Sequence, residues 1–358
     1  MRASDFHFDL PPEQIAQQPA AERDQARLYV LPRHGGPPAH ARVADLPRLL
    51  PEGALLVMND TRVIPARLRG RKPTGGRFEL LLVRPCERVV EATGWRETWA
   101  CLAAASKPLR PGMTLLLDGE RAPAAEVRTE RTVQGGEIEV VFTGDEPGGL
   151  LAALERIGEV PLPPYIERQG APGEGDRERY QTVYARTPGA AAAPTAGLHF
   201  TPRLLEALEA RGITRVTLTL HVGLGTFAPL RSDDVDDIDA LHPEPYEIPA
   251  ATCEAVAAAR AAGRPVVAIG TTSVRTLESA SDEHGRLRPG PGTTRLFIKP
   301  GYRFRVVDGM LTNFHLPRST LLMLVCALAG RERVLAAYND AVARGYRFYS
   351  YGDAMLLL

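Results

Sequence analysis

The chain has 358 residues, a length typical of two domains or of one domain with a large insertion. Apolar residues make up 44% of it, enough for a full hydrophobic core, and 43 basic side chains balance 43 acidic ones. A net charge of zero excludes a global basic field that would attract nucleic acid, so any RNA contact needs a local patch.

The four cysteines are scattered and follow no C-x-x-C or zinc-ligand spacing, which favours free thiols in a reducing compartment over disulfides. The N-terminal stretch has no apolar signal core, and the apolar run 319–330 is too short to cross a membrane. We therefore expect a cytoplasmic protein without membrane contact, and we expect a monomer.

In chain order, the first strong element is a buried strand at 54–58, ALLVM, which ends at the polar stretch NDTR. From there, short apolar runs alternate with Gly and Pro, which predicts a small β-barrel or sandwich at 63–148. From residue 149 onward helices alternate with strands. The predicted fold is an α/β domain, with a mixed or partly parallel sheet, made of residues 1–62 and 149–358, into which the β-barrel of residues 63–148 is inserted.

The polar, Gly-rich stretch 169–179 predicts a mobile loop that could act as a lid. The clearest helix start follows the stretch PTAGLHF: Thr201 fits an N-cap, Pro202 the first helical position and Gly212 a left-handed C-cap. His199 thus lies in a loop that leads into a helix N-terminus, where added positive charge is disfavoured. A neutral His199 could accept a proton there; the alternative is a buried histidine that the backbone satisfies.

A second loop, IGTTSVRTLES at 269–279, follows an apolar strand. Its glycine makes the turn, and the Thr-Thr-Ser sequence can cap a helix that carries Arg275. Hydroxyls, backbone N–H groups and a guanidinium suit a carboxylate or phosphate, and α/β sheets bind ligands beyond the carboxyl ends of their strands. The alternative is plain helix capping, with Arg275 in a structural ion pair.

Two further motifs are weak. The glycines of GLGTF, 223–227, permit close approach by a flat ligand, but the motif is no Walker loop and only distantly resembles a dinucleotide fingerprint. His242-x-Glu244 evokes zinc deaminases but has no C-x-x-C partner, and the histidine spacings in the second half fit no metal site. We predict no metal.

The stretch RVIPARLRGRKPTGGR, 62–77, concentrates basic side chains on a neutral protein, and strand alternation would bring several to one face. The alternative is a solvated β-face. As a phosphate-tracking patch it would contact tRNA through Arg67, Arg69, Arg71, Lys72 and Arg77.

Together these stretches are similar to one family, the S-adenosylmethionine:tRNA ribosyltransferase-isomerases of queuosine biosynthesis, along the whole chain. The similarity is carried by DFHFDLPPEQIAQQP, MNDTRVIPARLRG, ERYQTVYAR, AAPTAGLHFT, TLHVGLGTFAPL, IGTTSVRTLES, FIKPGYRFRVVDGMLTNFHLPRSTLLMLV and YRFYSYGDAM. Two departures are small. Leu241-His242-Pro243-Glu244 stands where the family usually shows Met-His-x-Glu, and the alanine run at 190–193 is plainer than usual.

The resemblance implies that the ribosyl part of S-adenosylmethionine moves onto the aminomethyl group of a 7-deazaguanine at the tRNA wobble position. Adenine and methionine leave, and epoxyqueuosine forms. S-adenosylmethionine would be a consumed co-substrate, no cofactor would be tightly bound, and the tRNA carrying 7-aminomethyl-7-deazaguanine would be the partner. The alternatives are a non-catalytic tRNA-binding protein and an S-adenosylmethionine-dependent tRNA methyltransferase.

The implied chemistry needs a base for the proton beside the sulfonium, and the candidates are His199 or His221, with Glu244 as rival. Asparagine is scarce in this chain, so Asn59 and Asn313 are favoured site residues. The residues expected to bind substrate are Asn59, Asp60, Arg62, Thr195, Gly197, Gly223, Gly225, Thr226, Thr271, Thr272, Ser273, Arg275, Asn313 and His315.

Overall fold

The structure is a computed structural model, and it describes residues 1–91, 93–129, 136–168, 173–223, 233–237, 241 and 243–358. It contains a nine-stranded mixed sheet, a closed barrel and a separate two-stranded ladder. The predicted fold class, α/β with a β-barrel, is therefore confirmed. No described helix combines the length and the apolar composition that crossing a membrane requires.

Strands and helices follow one another as follows. The strands are β1 (Arg27–Leu31), β2 (Ala39–Arg42), β3 (Leu55–Asn59), β4 (Thr61–Val63), β5 (Arg67–Arg71), β6 (Arg77–Glu91), β7 (Gly94–Ala105), β8 (Thr114–Leu117), β9 (Ala124–Val127), β10 (Glu137–Gly144), β11 (Thr187–Ala190), β12 (Thr214–Leu220), β13 (Glu244–Ile248), β14 (Val266–Ile269), β15 (Gly290–Thr294), β16 (Gly309–Asn313) and β17 (Ala354–Leu357). The helices are α1 (Leu46–Leu49), α2 (Leu150–Ile157), α3 (Glu174–Arg179), α4 (Pro202–Ala210), α5 (Ala250–Ala261), α6 (Thr271–Ala280), α7 (Thr320–Ala329) and α8 (Arg331–Ala343).

The large sheet has the strand order β15-β13-β12-β3-β14-β16-β17-β1-β2. Its centre is parallel: β12 pairs with β3, β3 with β14, and β14 with β16, all in the same direction. Their carboxyl ends therefore meet at one edge, hereafter the carboxyl edge. Antiparallel strands flank this centre on both sides.

The sheet is buried on both faces, as the continuous apolar run of β3 predicts. Leu55 and Val57 point into a core with helices α5 to α8, whereas Leu56 and Met58 point into a second core with α1 and α4. Each such side chain contributes roughly 1.5–3 kcal/mol through burial. The two cores hold the central strands, and so the carboxyl edge, in place.

The closed barrel consists of β5 to β10, between Arg67 and Gly144, and the sheet strands lie on both sides of it in the chain. Its core includes Trp95 and Trp99, and helix α2 packs Leu150 and Leu154 against the same cluster. We therefore propose that the barrel unit extends through α2 rather than ending at residue 148.

The predicted start of α4 is confirmed. The Thr201 hydroxyl accepts a hydrogen bond of 3.1 Å from the backbone N–H of Leu204, and Pro202 takes the first helical position. Gly212 has a φ of +71°, the left-handed conformation expected after the helix.

The loop predicted at 169–179 is partly wrong. Residues 174–179 form α3, which is tied to the preceding segment by two hydrogen bonds, of 2.8 and 2.9 Å, from the guanidinium of Arg168 to the carboxylate of Asp176. Residues 169–172 lie outside the described part of the chain, so the lid function stays a prediction.

Candidate functional site

A cleft lies at the carboxyl edge of the sheet. Its walls come from the ends of β14 and β16, from the segment before α4, and from the segment that precedes β17. The lining residues are Ala193, Pro194, Thr195, Ala196, Val222, Gly270, Thr271, Thr272, Thr312, Asn313, His315, Leu321, Tyr349 and Ser350.

The amide of Asn59, at the end of β3, is fully buried and contacts protein groups on both sides. Its Nδ2 donates to the carbonyl of Leu220 (2.9 Å) and to the Thr272 hydroxyl (3.3 Å). Its Oδ1 accepts from the backbone N–H groups of Thr61 and Leu220. Asn59 thus joins β12 to α6, and in this arrangement it positions the edge of the cleft rather than lining it.

Asp60, the next residue, is also buried and is held by two partners. Its carboxylate accepts hydrogen bonds of 2.7 Å from the Thr219 hydroxyl and 2.8 Å from the guanidinium of Arg186. Arg62 lies exposed on β4. Asp60 is therefore a buried carboxylate paired with the exposed guanidinium of Arg186.

His221 follows β12 directly, and its Nδ1 lies 2.8 Å from the Thr61 hydroxyl. The ring packs against Gly189, where an added Cβ would lie 2.7 Å from Cε1. Burial lowers the pKa of His221, and the nearby Asp60 carboxylate opposes that shift. The imidazole is therefore neutral at pH 7 and can accept a proton.

At the start of α6, only some of the residues predicted to bind an anion reach the cleft. Gly270, with a φ of +87°, makes the turn, and Thr271 and Thr272 line the cleft. Ser273 instead donates its hydroxyl to the carbonyl of Ile269 (2.8 Å) and is fully buried. The first turn of α6 thus borders the cleft through Thr271 and Thr272, and the Thr272 hydroxyl also accepts from Asn59.

Arg275 lies one turn further along α6 and forms a buried ion pair with Glu244. Its Nε donates to the carbonyl of Leu296 (3.1 Å), and the other oxygen of Glu244 accepts from the backbone N–H of Gly223 (3.2 Å). The geometry matches the alternative that the sequence left open for Arg275, a structural ion pair. The same contact engages Glu244.

Asn313, at the end of β16, lines the cleft and contacts His199. Its Nδ2 lies 3.2 Å from His199 Nε2 and donates to the carbonyl of Tyr349 (3.0 Å). A carbonyl can only accept, so this contact fixes the amide orientation and leaves Oδ1 facing no hydrogen-bond donor. A buried acceptor without a donor, in a residue that lines the cleft, suits an N–H group of a ligand.

His199 is buried between the cleft and a second cavity. Burial, with a smaller contribution from the guanidinium of Arg347, lowers the pKa of His199 to about 4. The backbone of Arg23 lies close to the ring and opposes the lowering of its pKa, and Nε2 contacts Asn313. His199 is neutral at pH 7, as a proton acceptor must be.

His315 lines the cleft, and its Nε2 lies 2.9 Å from the Thr312 hydroxyl. Burial lowers the pKa of His315 to about 3. Thr195 also lines the cleft. Gly197 does not; a Cβ there would lie 2.1 Å from the Tyr184 hydroxyl oxygen, so the glycine serves packing.

Tyr349 and Ser350 are cleft residues that the sequence analysis did not select. Tyr349 has a φ of +76°, a conformation that costs a non-glycine residue about 1–3 kcal/mol and that concentrates at functional sites. The tyrosine-rich segment YRFYSYGDAM was the available signal, but its tyrosines could equally have formed core. Of the selected residues, Gly225 and Thr226, like His242, lie outside the described part of the chain.

Within the described ranges, no three metal-ligating side chains converge. The basic side chains from Arg67 to Arg77 lie on strands β5 and β6 of the barrel and the turn between them, and only some of them are exposed without an ion pair to a described residue. Arg67 and Arg69 contact Glu79 at 3.4 and 3.6 Å, and Arg69 also contacts Glu159 at 3.3 Å. Lys72 is buried and donates to the carbonyl of Lys107 (3.1 Å). Arg71 and Arg77 are exposed and lie directly opposite each other on β5 and β6.

Known proteins resemble this chain over its full length. A family model described as "Queuosine biosynthesis protein" matches residues 3–357. The S-adenosylmethionine:tRNA ribosyltransferase-isomerases of Anaeromyxobacter sp. (strain Fw109-5) and Syntrophotalea carbinolica are 56% and 53% identical to it, over 100% of this chain and 99% and 100% of theirs. The crystal structure of S-adenosylmethionine tRNA ribosyltransferase from Thermotoga maritima matches 99% of this chain and 100% of its own, with a TM-score of 0.55 and 35% identity. The resemblance inferred from the motifs is confirmed, and the chain is an enzyme that belongs to the queuosine biosynthesis protein family.

Proposed function

We propose that this chain transfers and isomerises the ribosyl part of S-adenosylmethionine onto 7-aminomethyl-7-deazaguanine at the wobble position of tRNA, releasing adenine and methionine and forming epoxyqueuosine. The observation that carries the proposal is the cleft itself. In a chain of this family, the ends of β14 and β16 bring a helix N-terminus, a neutral histidine and an unpaired amide oxygen to one cavity.

The reaction begins with loss of a proton from the carbon beside the sulfonium, which the positive sulfur acidifies. His221 is the proposed base. If Nδ1–H donates to the Thr61 hydroxyl, the lone pair of Nε2 is left to accept the proton. Val222, the next residue, lines the cleft, whereas the His221 ring contacts Thr61 and Gly189 next to it in the fold.

His199 is the second candidate base, and Glu244 the third. Asn313 donates its amide toward Nε2 of His199, so proton uptake at Nε2 would require that contact to break. Glu244 would have to act while bound to Arg275. We therefore assign His199 and Glu244 to positioning the cleft walls.

The two leaving groups, methionine and adenine, each have a suitable binding partner in the cleft. The first turn of α6, with Thr271 and Thr272, suits the methionine carboxylate, because backbone N–H groups at a helix N-terminus stabilise anions. The free Oδ1 of Asn313 suits an N–H donor on a purine edge, such as the adenine amino group.

The RNA backbone would be held by exposed cations of the barrel. Arg71 and Arg77 are exposed side by side, and Arg69 can exchange its carboxylate partners for phosphates, since exposed ion pairs contribute only about 0–1 kcal/mol. Arg67 is half-buried and would exchange its partner less readily. Lys72 is buried and contributes to barrel packing instead.

The test is release of adenine from S-adenosylmethionine in the presence of tRNA carrying 7-aminomethyl-7-deazaguanine. We expect His221→Ala to lower kcat about 100-fold or more, His199→Ala to lower it less, and the exposed control His284→Gln to leave it unchanged.

Wild-type turnover in both alanine variants would remove histidine from the base role. A tRNA methyltransferase would yield S-adenosylhomocysteine without adenine, and a non-catalytic tRNA-binding protein would yield neither product.

A further inference from the structure

A second cavity lies beyond His199 from the cleft and opens to solvent. His199 lines it, Asn313 on the other side of the imidazole lines the cleft, and Ser350 lines both. We name it the arginine cavity, because Arg23 and Arg179 form part of its wall. The role proposed above for the cleft does not use it.

Both arginines are anchored by backbone carbonyls rather than by carboxylates. Arg23 donates to the carbonyls of Leu198 (3.1 Å) and Glu178 (3.0 Å). Arg179 donates to the carbonyls of Ala20 and Ala21. Carbonyl contacts orient the two guanidinium groups but do not neutralise their charge.

Three acidic residues, Glu22, Asp24 and Glu178, stand next to these arginines in the sequence, and none of them forms an ion pair with Arg23 or Arg179. Asp24 is turned away and accepts hydrogen bonds from the Thr201 hydroxyl (2.9 Å) and from Arg203 (3.2 Å). Within the described residues, no carboxylate lies within ion-pair distance of Arg23 or Arg179.

Two like charges in a partly buried wall repel each other. Burial lowers the pKa of Arg23, the guanidinium of Arg179 lowers it further, and Glu178 opposes the shift. The Nε of Arg179 is buried and has no hydrogen-bond partner. Such an arrangement is unfavourable by itself and becomes favourable when an anion binds between the guanidinium groups.

We propose that the arginine cavity is an oxyanion site that holds a phosphodiester of the tRNA beside the nucleotide in the cleft. The proposal rests on the function proposed above, because it takes the RNA chain to pass the cleft on the side of His199. Guanidinium groups match phosphate oxygens in paired, directional hydrogen bonds. The methionine carboxylate of S-adenosylmethionine is the other source of the same chemistry.

The experiment measures two affinities without turnover. Binding of a tRNA transcript with guanine at the wobble position is followed from 50 to 300 mM KCl, and binding of S-adenosylmethionine is followed separately by calorimetry. We expect Arg23→Gln and Arg179→Gln each to weaken tRNA binding about tenfold at 100 mM salt and to lower its salt slope by roughly 0.7–0.9. The affinity for S-adenosylmethionine should stay within twofold.

The control is Arg211→Gln, an exposed arginine after α4, which should change neither affinity. A loss confined to S-adenosylmethionine binding would keep the oxyanion site but assign it to the methionine carboxylate. Unchanged affinities for both ligands would overturn the proposal.

Since the arginines also bind backbone carbonyls, the glutamine variants could fail to fold, and Arg23→Lys and Arg179→Lys then decide. A phosphate contact predicts weaker tRNA binding with an unchanged salt slope, whereas wild-type affinity for both ligands in the folded lysine variants would contradict the site. The two proposals can fail separately. If Arg23→Gln weakens tRNA binding but the wild-type protein releases no adenine, the proposed reaction is refuted and the oxyanion site stands.

Discussion

The carboxyl edge of the sheet and the outer face of the barrel both carry many polar side chains, but they hold them differently. At the carboxyl edge Asn59, Asp60 and Arg275 are buried, and each makes two or more hydrogen bonds. On the barrel Arg67 and Arg69 contact carboxylates at 3.3–3.6 Å, and Arg71 is exposed.

The difference separates two tasks. Buried polar groups with fixed partners keep their positions during a reaction, which electrostatic stabilisation of a transition state requires. Exposed arginines move freely and exchange partners, which suits a flexible RNA backbone. We therefore expect substitutions at the carboxyl edge to affect stability and chemistry, and substitutions on the barrel to affect tRNA affinity alone.

The largest effect, a loss of stability, should appear when an arginine is replaced by methionine at the carboxyl edge but not when the same replacement is made on the barrel. Arg275→Met removes the cation beside the buried Glu244 carboxylate, and we expect it to lower the free energy of unfolding by about 3–5 kcal/mol. Arg71→Met, on the exposed barrel face, should change it by less than about 0.5 kcal/mol. Urea denaturation measures both, and equal effects would erase the distinction between the two regions.

The second effect is a pH dependence of the free energy of unfolding. It should arise in the sheet domain, since residues 63–148, which include the barrel strands, contain no histidine. The pKa of His199 falls to about 4 and that of His315 to about 3, both below their unfolded values near 6.5. The unfolded chain therefore binds more protons between pH 6.5 and 4, and stability is full above pH 6.5 and is lost as pH falls.

The expected loss is roughly 1.4 kcal/mol per pH unit for each histidine below pH 6.5. Urea denaturation at pH 7, 6 and 5 measures it, with the double variant His199→Gln/His315→Gln as comparison. A pH dependence as steep in the double variant as in the wild type would show that other groups cause it.

The smallest effect is a difference in the salt dependence of tRNA binding between two pairs of barrel arginines. Arg71→Ala with Arg77→Ala should lower the salt slope of tRNA binding by roughly 1.4–1.8, because neither side chain pairs with a carboxylate of the described residues. Arg67→Ala with Arg69→Ala should lower it less, since those arginines already contact Glu79 and Glu159. An unchanged slope in both pairs would make the patch a solvated face.

Much of the fold followed from local sequence patterns. The cap residues of α4 stand within one turn of the helix they begin, so Thr201 and Pro202 located its start correctly. The buried strand β3 and the alternation along β5 were equally local. The cleft required more, because Tyr349 reaches it only through the fold of the segment before β17.

The sequence by itself determined the kinds of element, the insertion of a barrel, the family and two of the stretches that reach the cleft, PTAGLHF and IGTTSVRTLES. Only the tertiary structure decided which side chains remain available there. The partners of Asn59, Asn313 and Arg275 lie 161, 114 and 31 residues away in the chain. Hydrogen bonding and burial depend on such distant contacts. Arg275 was a candidate ligand-binding residue in the sequence, but in the fold it pairs with Glu244, a partner that no local sequence pattern predicts.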